Sequence, residues 1–294
     1  MKILFSCLLA TLFINRAAAQ ISMELELEQE QFLPSESVKV AVKITNRSGQ
    51  KLHLGADPDW LTFNVESSDG FVVIKKSEVP VTGEFDLESS QMAIKRVDLQ
   101  PYFVMSKPGR YKVTATLRIK DWASQIASPP KYFDLIAGAI QWEQDFGVPS
   151  ETNRVPEARK YSLLQANYLR EQLRLYVRVS DAKAQQVYKV TALGPMVSFG
   201  RPEAQVDRLS RLNVLWQTGA QAFSFCVLDA DGAVVQQETF DAYNARPRLA
   251  VDENGRVTIR GGIRRMKPDE YPAAVKSPIE VPPPAVPPAA TNSN

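Results

Sequence analysis

The chain of 294 residues is poor in the side chains that most often carry catalysis or bind metals. It has one histidine and two cysteines. A Ser-His-Asp triad would have to use His53, and the sequence has no G-x-S-x-G elbow and no H-x-x-x-H pair. A zinc site needs histidine or thiolate ligands that this chain largely lacks. The sequence therefore predicts no metal, no cofactor and no enzymatic activity, and we interpret His53, between Leu52 and Leu54, as a surface residue of a strand.

Long hydrophobic runs are absent beyond the first 14 residues. The single run, residues 3–14, follows Lys2 and precedes Ala17-Ala18-Ala19. A positive residue, a short apolar stretch and a small-residue cleavage site are typical of a secretory signal peptide, and the run is too short to span a membrane. We expect residues 1–19 to be removed and the mature chain to be exported, periplasmic or secreted, with no stable membrane span. A lipoprotein acylated on Cys7 is the alternative.

Cleavage would remove Cys7 and leave Cys226 as the only cysteine of the mature chain. An internal disulfide is then excluded, so stability must come from hydrophobic cores. Cys226 lies among Phe225, Val227 and Leu228, a pattern typical of a strand. We interpret it as a small buried hydrophobic residue rather than a nucleophile, since no histidine is near it in sequence.

An excess of basic residues is also missing once Lys2 and Arg16 are removed. Residues 20–149 carry 14 basic and 18 acidic side chains, a net charge of −4, and residues 150–267 carry 18 and 12, a net charge of +6. Residues 268–294 have a net charge of −2. The nearly neutral total argues against nucleic acid as a partner, and the asymmetry indicates two modules.

The pattern of the first module is that of an all-β domain. Apolar residues alternate with polar ones at 23–27, 38–45 and 111–119, with turn residues between them. This period of two is typical of half-buried strands, and regular spacing of such strands favours a sandwich. Residues 61–65 and 71–74 flank Ser68-Asp69-Gly70, which predicts a hairpin.

Two stretches of this module carry a family resemblance. They are Phe32-Leu33-Pro34-Ser35-Glu36-Ser37-Val38-Lys39-Val40, followed by Ile44-Thr45-Asn46, and Pro108-Gly109-Arg110-Tyr111-Lys112-Val113. Residues 21–136 resemble an immunoglobulin-like β-sandwich module of exported bacterial proteins. The resemblance implies that Tyr111 forms a corner whose hydroxyl bonds back to the backbone. It implies no activity, because such modules serve many functions.

The remaining chain divides into a joint, a second β domain and a tail. Residues 137–160 contain Gly138, Pro149 and Pro156 and predict a linker, with Trp142 and Phe146 packed where the domains meet. Residues 161–265 predict a second sandwich-like domain, which resembles uncharacterised secreted bacterial β domains. Within it, residues 229–232 and 252–255 have the composition of hairpin turns, and residues 161–172 fit either a strand or a short helix.

The tail, residues 266–294, contains eight prolines from Pro268 onward. Such a composition cannot build a core and predicts disorder with polyproline II character. The predicted fold is therefore all-β: a signal peptide at 1–19, a sandwich at 20–136, a joint at 137–160, a second β domain at 161–265 and the disordered tail.

Two clusters are candidates for ligand binding. Asp57 and Asp59 flank Pro58 before Trp60, so a sugar could stack on the indole while the acids bind its hydroxyls; the alternative is a turn whose tryptophan anchors the core. Carboxylate pairs also catalyse glycoside hydrolysis, which keeps a carboxylate-based hydrolase as a third hypothesis.

The second cluster is rich in arginine. It comprises Arg246, Arg248, Arg256 and Arg260, with Arg264 and Arg265 after them. Arg256 and Arg260 are an even number of residues apart and share a face in a strand. Guanidinium groups there could bind carboxylates or sulfates bidentately, or simply form a solvated face. The predicted function is an exported, non-enzymatic binding or scaffolding protein that acts on a protein partner, with a glycan as the alternative ligand.

Overall fold

The protein is described from a computed structural model, which covers residues 21–148, 157–266 and 270. The predicted signal peptide at 1–19 lies outside the described residues, and so does the predicted disordered tail apart from residues 266 and 270. Within the described part, the chain is all-β, as the alternating patterns predict. No helix in this part is long and apolar enough to cross a membrane.

The first module contains twelve strands and one short 3-10 turn at Lys120–Trp122. The strands are β1 (Ile21–Leu27), β2 (Gln31–Phe32), β3 (Lys39–Asn46), β4 (Leu52–Leu54), β5 (Leu61–Ser67), β6 (Ile74–Lys75), β7 (Phe85–Leu87), β8 (Met92–Asp98), β9 (Phe103–Val104), β10 (Gly109–Ile119), β11 (Ser124–Ala127) and β12 (Lys131–Leu135).

These strands form a sandwich of two main sheets. In one sheet β3 lies between β1 and β8, and all pairs are antiparallel. In the other, β10 pairs with β5 on one side and with β11 and β12 on the other, while β2 adds to β12 in parallel. The short ribbons β4–β7 and β6–β9 complete the module. Inward side chains from both sheets form one continuous core.

The predicted alternation on β3 is confirmed residue by residue. Val40, Val42 and Ile44 are buried, while Ala41 and Lys43 between them point away from the core. Burying a Val or Ile side chain stabilises the fold by about 1.5–3 kcal/mol. A one-residue register shift would move all three to the solvent side, so this pattern specifies the pairing.

The predicted hairpin across residues 61–74 is wrong. β5 pairs with β10, about 50 residues further along the chain, and Ile74–Lys75 pairs with β9. Phe71, Val72 and Val73 are not in a strand. Ser68-Asp69-Gly70 does form a turn, but β5 buries Leu61, Phe63 and Val65 against the sandwich core, and a long partner strand, β10, satisfies its backbone.

The described residues of the second module form eleven strands in three sheets. They are β13 (Ala139–Val148), β14 (Glu157–Tyr168), β15 (Gln172–Asp181), β16 (Val187–Pro195), β17 (Glu203–Val206), β18 (Leu212–Gln217), β19 (Ala222–Leu228), β20 (Val234–Asp241), β21 (Arg248–Val251), β22 (Val257–Arg260) and β23 (Ile263–Arg264). Sheet order is β13-β14-β15-β16 in one layer and β17-β18-β19-β20-β23 in the other. A buried core that includes Tyr161, Val177 and Trp216 lies between the two layers, and β21–β22 is a separate ribbon.

Two predictions for this region are settled by strands β13 and β14. The stretch at 161–172 is strand, turn and the start of β15, so the helical alternative is wrong. The stretch interpreted as a linker, 137–160, contains all of β13, which pairs with β14. Phe146 stacks on Tyr161 with ring centroids 4.0 Å apart, and Trp142 packs on the same core. Both aromatic residues therefore belong to the second core, not to the contact between modules.

The turn between β19 and β20 shows why its sequence predicts a hairpin. Asp229 accepts hydrogen bonds at Oδ1 from the backbone N–H groups of Asp231 and Ala233, at 3.0 and 2.8 Å. Gly232 has a φ of 76°, which a residue without Cβ adopts at little cost. The predicted turn at 229–232 is confirmed, and so is the one at 252–255 between β21 and β22.

Candidate functional site

The hairpin β21–β22 holds the arginine residues that the sequence singles out. Its turn is built by Asp252, whose Oδ1 accepts hydrogen bonds from the N–H groups of Asn254 and Arg256 at 3.0 and 2.7 Å. Gly255 has a φ of 71° and completes the turn. Four cross-strand pairs follow, from Val251 opposite Val257 to Arg248 opposite Arg260. The local sequence therefore fixes the register of the hairpin.

The hairpin presents one face to the protein and the other to solvent. Leu249 and Ile259 pack on a buried cluster formed by the outer surface of the β18–β20 layer, which includes Phe225 and Phe240. Because side chains alternate across a strand, Arg248 and Arg260 point away from this cluster. Arg256 and Arg260 are both exposed, as expected from their even spacing.

We call Arg248, Arg256 and Arg260 the arginine face. Arg248 and Arg260 are directly opposite each other, which places their Cα atoms about 5 Å apart. Arg256 and Arg260 are four residues apart, or about 13 Å along an extended strand. Like charges directly opposite each other destabilise a ribbon. Within the described residues, no carboxylate oxygen lies within 4 Å of the Arg256 or Arg260 guanidinium.

Two residues near this face were not predicted from the sequence. Glu203 on β17 accepts a hydrogen bond from the Leu249 N–H at 2.9 Å and lies 3.5 Å from Nη1 of Arg248. The side chain of Arg208 lies against the hairpin turn, since a Cβ on Gly255 would sit 2.2 Å from its Nε. Both residues precede the hairpin by about 40 to 50 residues, and no pattern in the sequence around them predicts that they contact it. Glu203 partly neutralises one end of the face, and Arg208 adds positive charge at the other.

The other predicted arginines have partners elsewhere. The Arg246 guanidinium lies over the ring of Phe223, 5.3 Å from its centroid. Arg264 pairs with Glu270 at 3.0 Å, and Arg265 pairs with Asp241 at 2.6 Å. Arg246 therefore packs at the base of the hairpin, and Arg264 and Arg265 serve ion pairs. Of the predicted arginines, those of the arginine face therefore remain the candidates for ligand binding.

The predicted sugar-stacking site at Trp60 is wrong. Trp60 is 2% exposed, and its Nε1–H donates to the Val81 carbonyl at 2.8 Å. Its ring makes an edge-to-face contact with Phe85 and belongs to the first core. The indole therefore presents no face on which a sugar could stack. The alternative interpretation, a turn whose tryptophan anchors the core, describes this residue.

Asp57 and Asp59 form ion pairs with basic residues at the end of β10. Arg118 contacts Asp59 through Nη2 and lies 3.8 Å from Oδ2 of Asp57, and Lys120 Nζ lies 3.3 Å from Oδ1 of Asp57. The two carboxylates thus fasten the loop before β5 to the neighbouring strand. Both carboxylates are engaged by these cations, an arrangement typical of a structural ion-pair network.

The last candidates for reactive chemistry are the buried cysteine Cys226 and possible clusters of metal ligands. Burial raises the pKa of the Cys226 thiol to about 12, so the thiolate form that attacks or binds metals is suppressed. Across residues 21–148, 157–266 and 270, no group of three or more His, Cys, Asp or Glu side chains is placed to hold a metal ion.

Comparison with known proteins gives little beyond this geometry. No family model matches the chain. Among solved structures, the chain is similar to Spo0M, a sporulation control protein from Bacillus subtilis, with a TM-score of 0.29 and 11% sequence identity. The alignment covers 56% of this chain and 80% of that protein.

Proposed function

We propose that this protein is an exported, non-enzymatic binding or scaffolding protein that acts through protein–protein contacts in the cell envelope or outside the cell. The observation that carries the proposal is the arginine face, where Arg248 and Arg260 stand side by side and Arg256 lies on the same hairpin. The signal-peptide pattern of residues 1–19 supports export.

The partner that fits the arginine face is an acidic protein surface. Guanidinium groups bind carboxylates in a bidentate geometry, and an acidic partner would relieve the repulsion between Arg248 and Arg260. The hairpin is held on a buried apolar cluster, so the guanidinium groups start from a fixed backbone and lose less freedom on binding. Binding of this kind should weaken as salt is added.

An acidic glycan is the second candidate ligand. The separation of about 13 Å between Arg256 and Arg260 along an extended strand also suits a linear chain that repeats carboxylates or sulfates. This alternative uses the same face, so the same substitutions test both partners and the nature of the captured ligand separates them.

The experiment is an affinity capture from envelope extract with two charge-reversed variants. The full chain is expressed, recovered from the envelope fraction and immobilised. We expect the Arg256→Glu, Arg260→Glu double variant to capture the main partner at least tenfold less than the unmodified protein. A matched Arg47→Glu, Arg96→Glu variant removes two exposed arginines of the first module and should capture it normally.

Four outcomes would contradict the proposal. Recovery of the protein only from the cytosol would contradict export. Equal capture by both double variants, or no specific protein in any sample, would contradict protein binding through the arginine face. A signal on an array of acidic glycans that the Arg256→Glu, Arg260→Glu variant loses would replace the protein partner with a glycan.

A further inference from the structure

A cleft of about 330 Å³ lies where the two sandwiches meet. It lies between the start of β3 and the β9 region of the first module and the turn before β16 of the second. Its wall is about half apolar, from residues that include Leu33, Val38, Phe103, Met105, Leu135 and Val187, and the rest is polar, including Gln185 and Gln186. This volume is at the lower end of the range for small-molecule sites, and contacts between domains are a common place for them.

One wall of the cleft carries an acid that is almost completely buried. Glu36 is 6% exposed. Its Oε2 accepts a hydrogen bond from the Leu33 N–H at 2.7 Å, and its Oε1 accepts one from Nε2 of Gln29 at 2.8 Å. A carboxylate can accept about four hydrogen bonds, so acceptor capacity remains. Burial raises the pKa of Glu36, although both hydrogen bonds act in the opposite direction.

No positive side chain pairs directly with Glu36 among the described residues, in which every ion pair within 4 Å involves other acids. Arg174 is the cation that acts on it, from a distance. Its guanidinium stacks over Tyr168 at 3.5 Å and donates to Gln29 at 3.3 Å, so Gln29 stands between the two charges. A buried carboxylate without a direct countercharge is costly, and an acid whose pKa is perturbed by burial in a cleft is a candidate for a functional site.

A second polar group beside Glu36 is unsatisfied. Tyr176 is fully buried, and its hydroxyl has no hydrogen-bond partner of good geometry. Burial and the nearby Glu36 carboxylate raise the pKa of Tyr176 to about 12, although Arg174 acts to lower it. Both Glu36 oxygens accept one hydrogen bond each, so the Tyr176 hydroxyl is the unsatisfied atom here, and Tyr176 is not one of the residues that line the cleft.

We propose that this cleft is a binding site for a primary ammonium on a short aliphatic chain, with Glu36 as its counter-ion. The ammonium supplies the missing positive charge and up to three hydrogen-bond donors, and the apolar walls contact the chain. The source is either a free small amine or the lysine side chain of a protein. Lys76 also lines the cleft, but it is exposed, so water screens its ammonium group.

The test measures binding of n-pentylammonium chloride to the full chain by calorimetry, with n-pentanol as the neutral analogue. We expect saturable binding of the ammonium at least tenfold tighter than that of the alcohol. Nα-acetyl-lysine methylamide carries the same kind of chain, and it separates the sources. Tighter binding of this compound than of n-pentylammonium indicates a protein lysine, and the reverse indicates a free amine.

Four variants make the result specific. Glu36→Gln keeps an oxygen for the Leu33 N–H but removes the charge, and should weaken ammonium binding at least tenfold. Ser106→Trp places a bulky ring at an exposed position of the cleft wall and leaves the Glu36 charge in place, and should also abolish binding. Lys76→Met removes a nearby positive charge and should strengthen binding, while Glu28→Gln, at an exposed acid that pairs with Lys39, should change nothing.

The proposal is overturned if the ammonium binds no better than the alcohol. It is also overturned if Glu36→Gln, shown to be folded by its near-UV circular dichroism, binds n-pentylammonium as tightly as the unmodified protein. Should Glu36→Gln fail to fold, Ser106→Trp decides, because unchanged binding in that variant excludes this cleft.

Discussion

The only histidine of the chain, His53, is held between two acidic side chains. His53 lies on the exposed face of the β4–β7 ribbon, with Nδ1 2.8 Å from Asp86 and Nε2 in contact with Glu84. The charged imidazolium can donate to both acids, and this raises the pKa of His53, with the Asp86 hydrogen bond as the largest cause. Asp86 also forms an ion pair with Lys51 at 2.7 Å. The hydrogen bonds from Lys51 and His53 lower the pKa of Asp86.

The pH dependence that follows has a definite sign. Because the folded pKa of His53 is above the unfolded value of about 6.5, its stabilising contribution is complete below pH 6.5 and is lost as pH rises through the folded pKa. We expect the NMR titration of His53 to show a raised pKa that Asp86→Asn moves toward 6.5. Glu66→Gln, on a different strand, serves as the control. An unchanged His53 titration in Asp86→Asn would contradict this assignment.

For single residues, the sequence does not determine the orientation of a side chain or its contacts with distant parts of the chain. The acids beside Trp60 suggest a sugar site, but sequence spacing does not tell which way a loop tryptophan turns. Only the fold shows Trp60 bonded to Val81, 21 residues away. The sequence around Glu36 does not predict its burial in a cleft, because the groups that make it unusual, Arg174 and Tyr176, lie about 140 residues further along. By contrast, Arg256 and Arg260 share a face because of local spacing, which the sequence does specify.

At the scale of elements, the start of β10 is held by a tyrosine corner. The Tyr111 hydroxyl donates to the Lys107 carbonyl at 2.7 Å, as the resemblance to immunoglobulin-like modules implies. Its ring is buried and stacks on Phe133 of β12, 5.6 Å between centroids. The hydrogen bond ties the loop before β10 to the central strand of its sheet, so the corner positions the strand on which β5, β11 and β12 pair.

We expect Tyr111→Phe to reduce the free energy of unfolding of the first module by about 0.5–1.5 kcal/mol, the usual contribution of one hydrogen bond. The ring stays, so packing changes little and urea denaturation reports the hydroxyl alone. Tyr132→Phe is the matched control, because Tyr132 is 44% exposed on neighbouring β12. Equal effects of the two substitutions would show that the corner hydrogen bond does not stabilise the module.

Elements were predicted well where their pattern is local and poorly where pairing is distant. The alternation on β3 and the turns at 229–232 and 252–255, each of which begins with Asp and ends with Gly, determine a strand and two hairpins within a few residues. For β5, closeness in sequence favours a hairpin with residues 71–74, but its actual partner, β10, is about 50 residues further along the chain. Gly138, Pro149 and Pro156 predict a linker at 137–160, and only the pairing with β14 identifies residues 139–148 as strand β13.

At the scale of the whole molecule, the two sandwiches meet through a small apolar cluster flanked by polar contacts. Leu33 and Ile136 of the first module pack with Leu164, Ala166, Tyr176 and Val190 on the outer face of the second. Gly138 lies between Leu33 and Leu164, since a Cβ there would be 3.4 Å from both side chains. The Gln31 side chain accepts a hydrogen bond from the Leu169 N–H at 2.6 Å. The backbone of Glu36 forms an isolated parallel β-bridge with Val190 on the edge strand β16.

Domains joined by one chain usually move relative to each other unless the contact between them is large and apolar. The arrangement of the two modules should therefore depend on this apolar cluster. Leu164 is 5% exposed although it lies on the outer face of its own sheet. Removing its side chain from the cluster should cost about 1.5–3 kcal/mol of docking free energy. An aspartate there would be hydrated once the modules separate, so the second sandwich itself should tolerate the change.

We therefore expect Leu164→Asp to separate the modules without unfolding them. Small-angle X-ray scattering should report a larger radius of gyration and a broader distance distribution, while near-UV circular dichroism stays near that of the unmodified protein. Leu209→Asp, at a leucine that is 66% exposed, is the control and should change neither measurement. An unchanged scattering curve for Leu164→Asp would mean that the polar contacts of Gln31 and Glu36 suffice to dock the modules. Since the cleft beside Glu36 has walls from both modules, a separated variant should also lose the n-pentylammonium binding proposed for it.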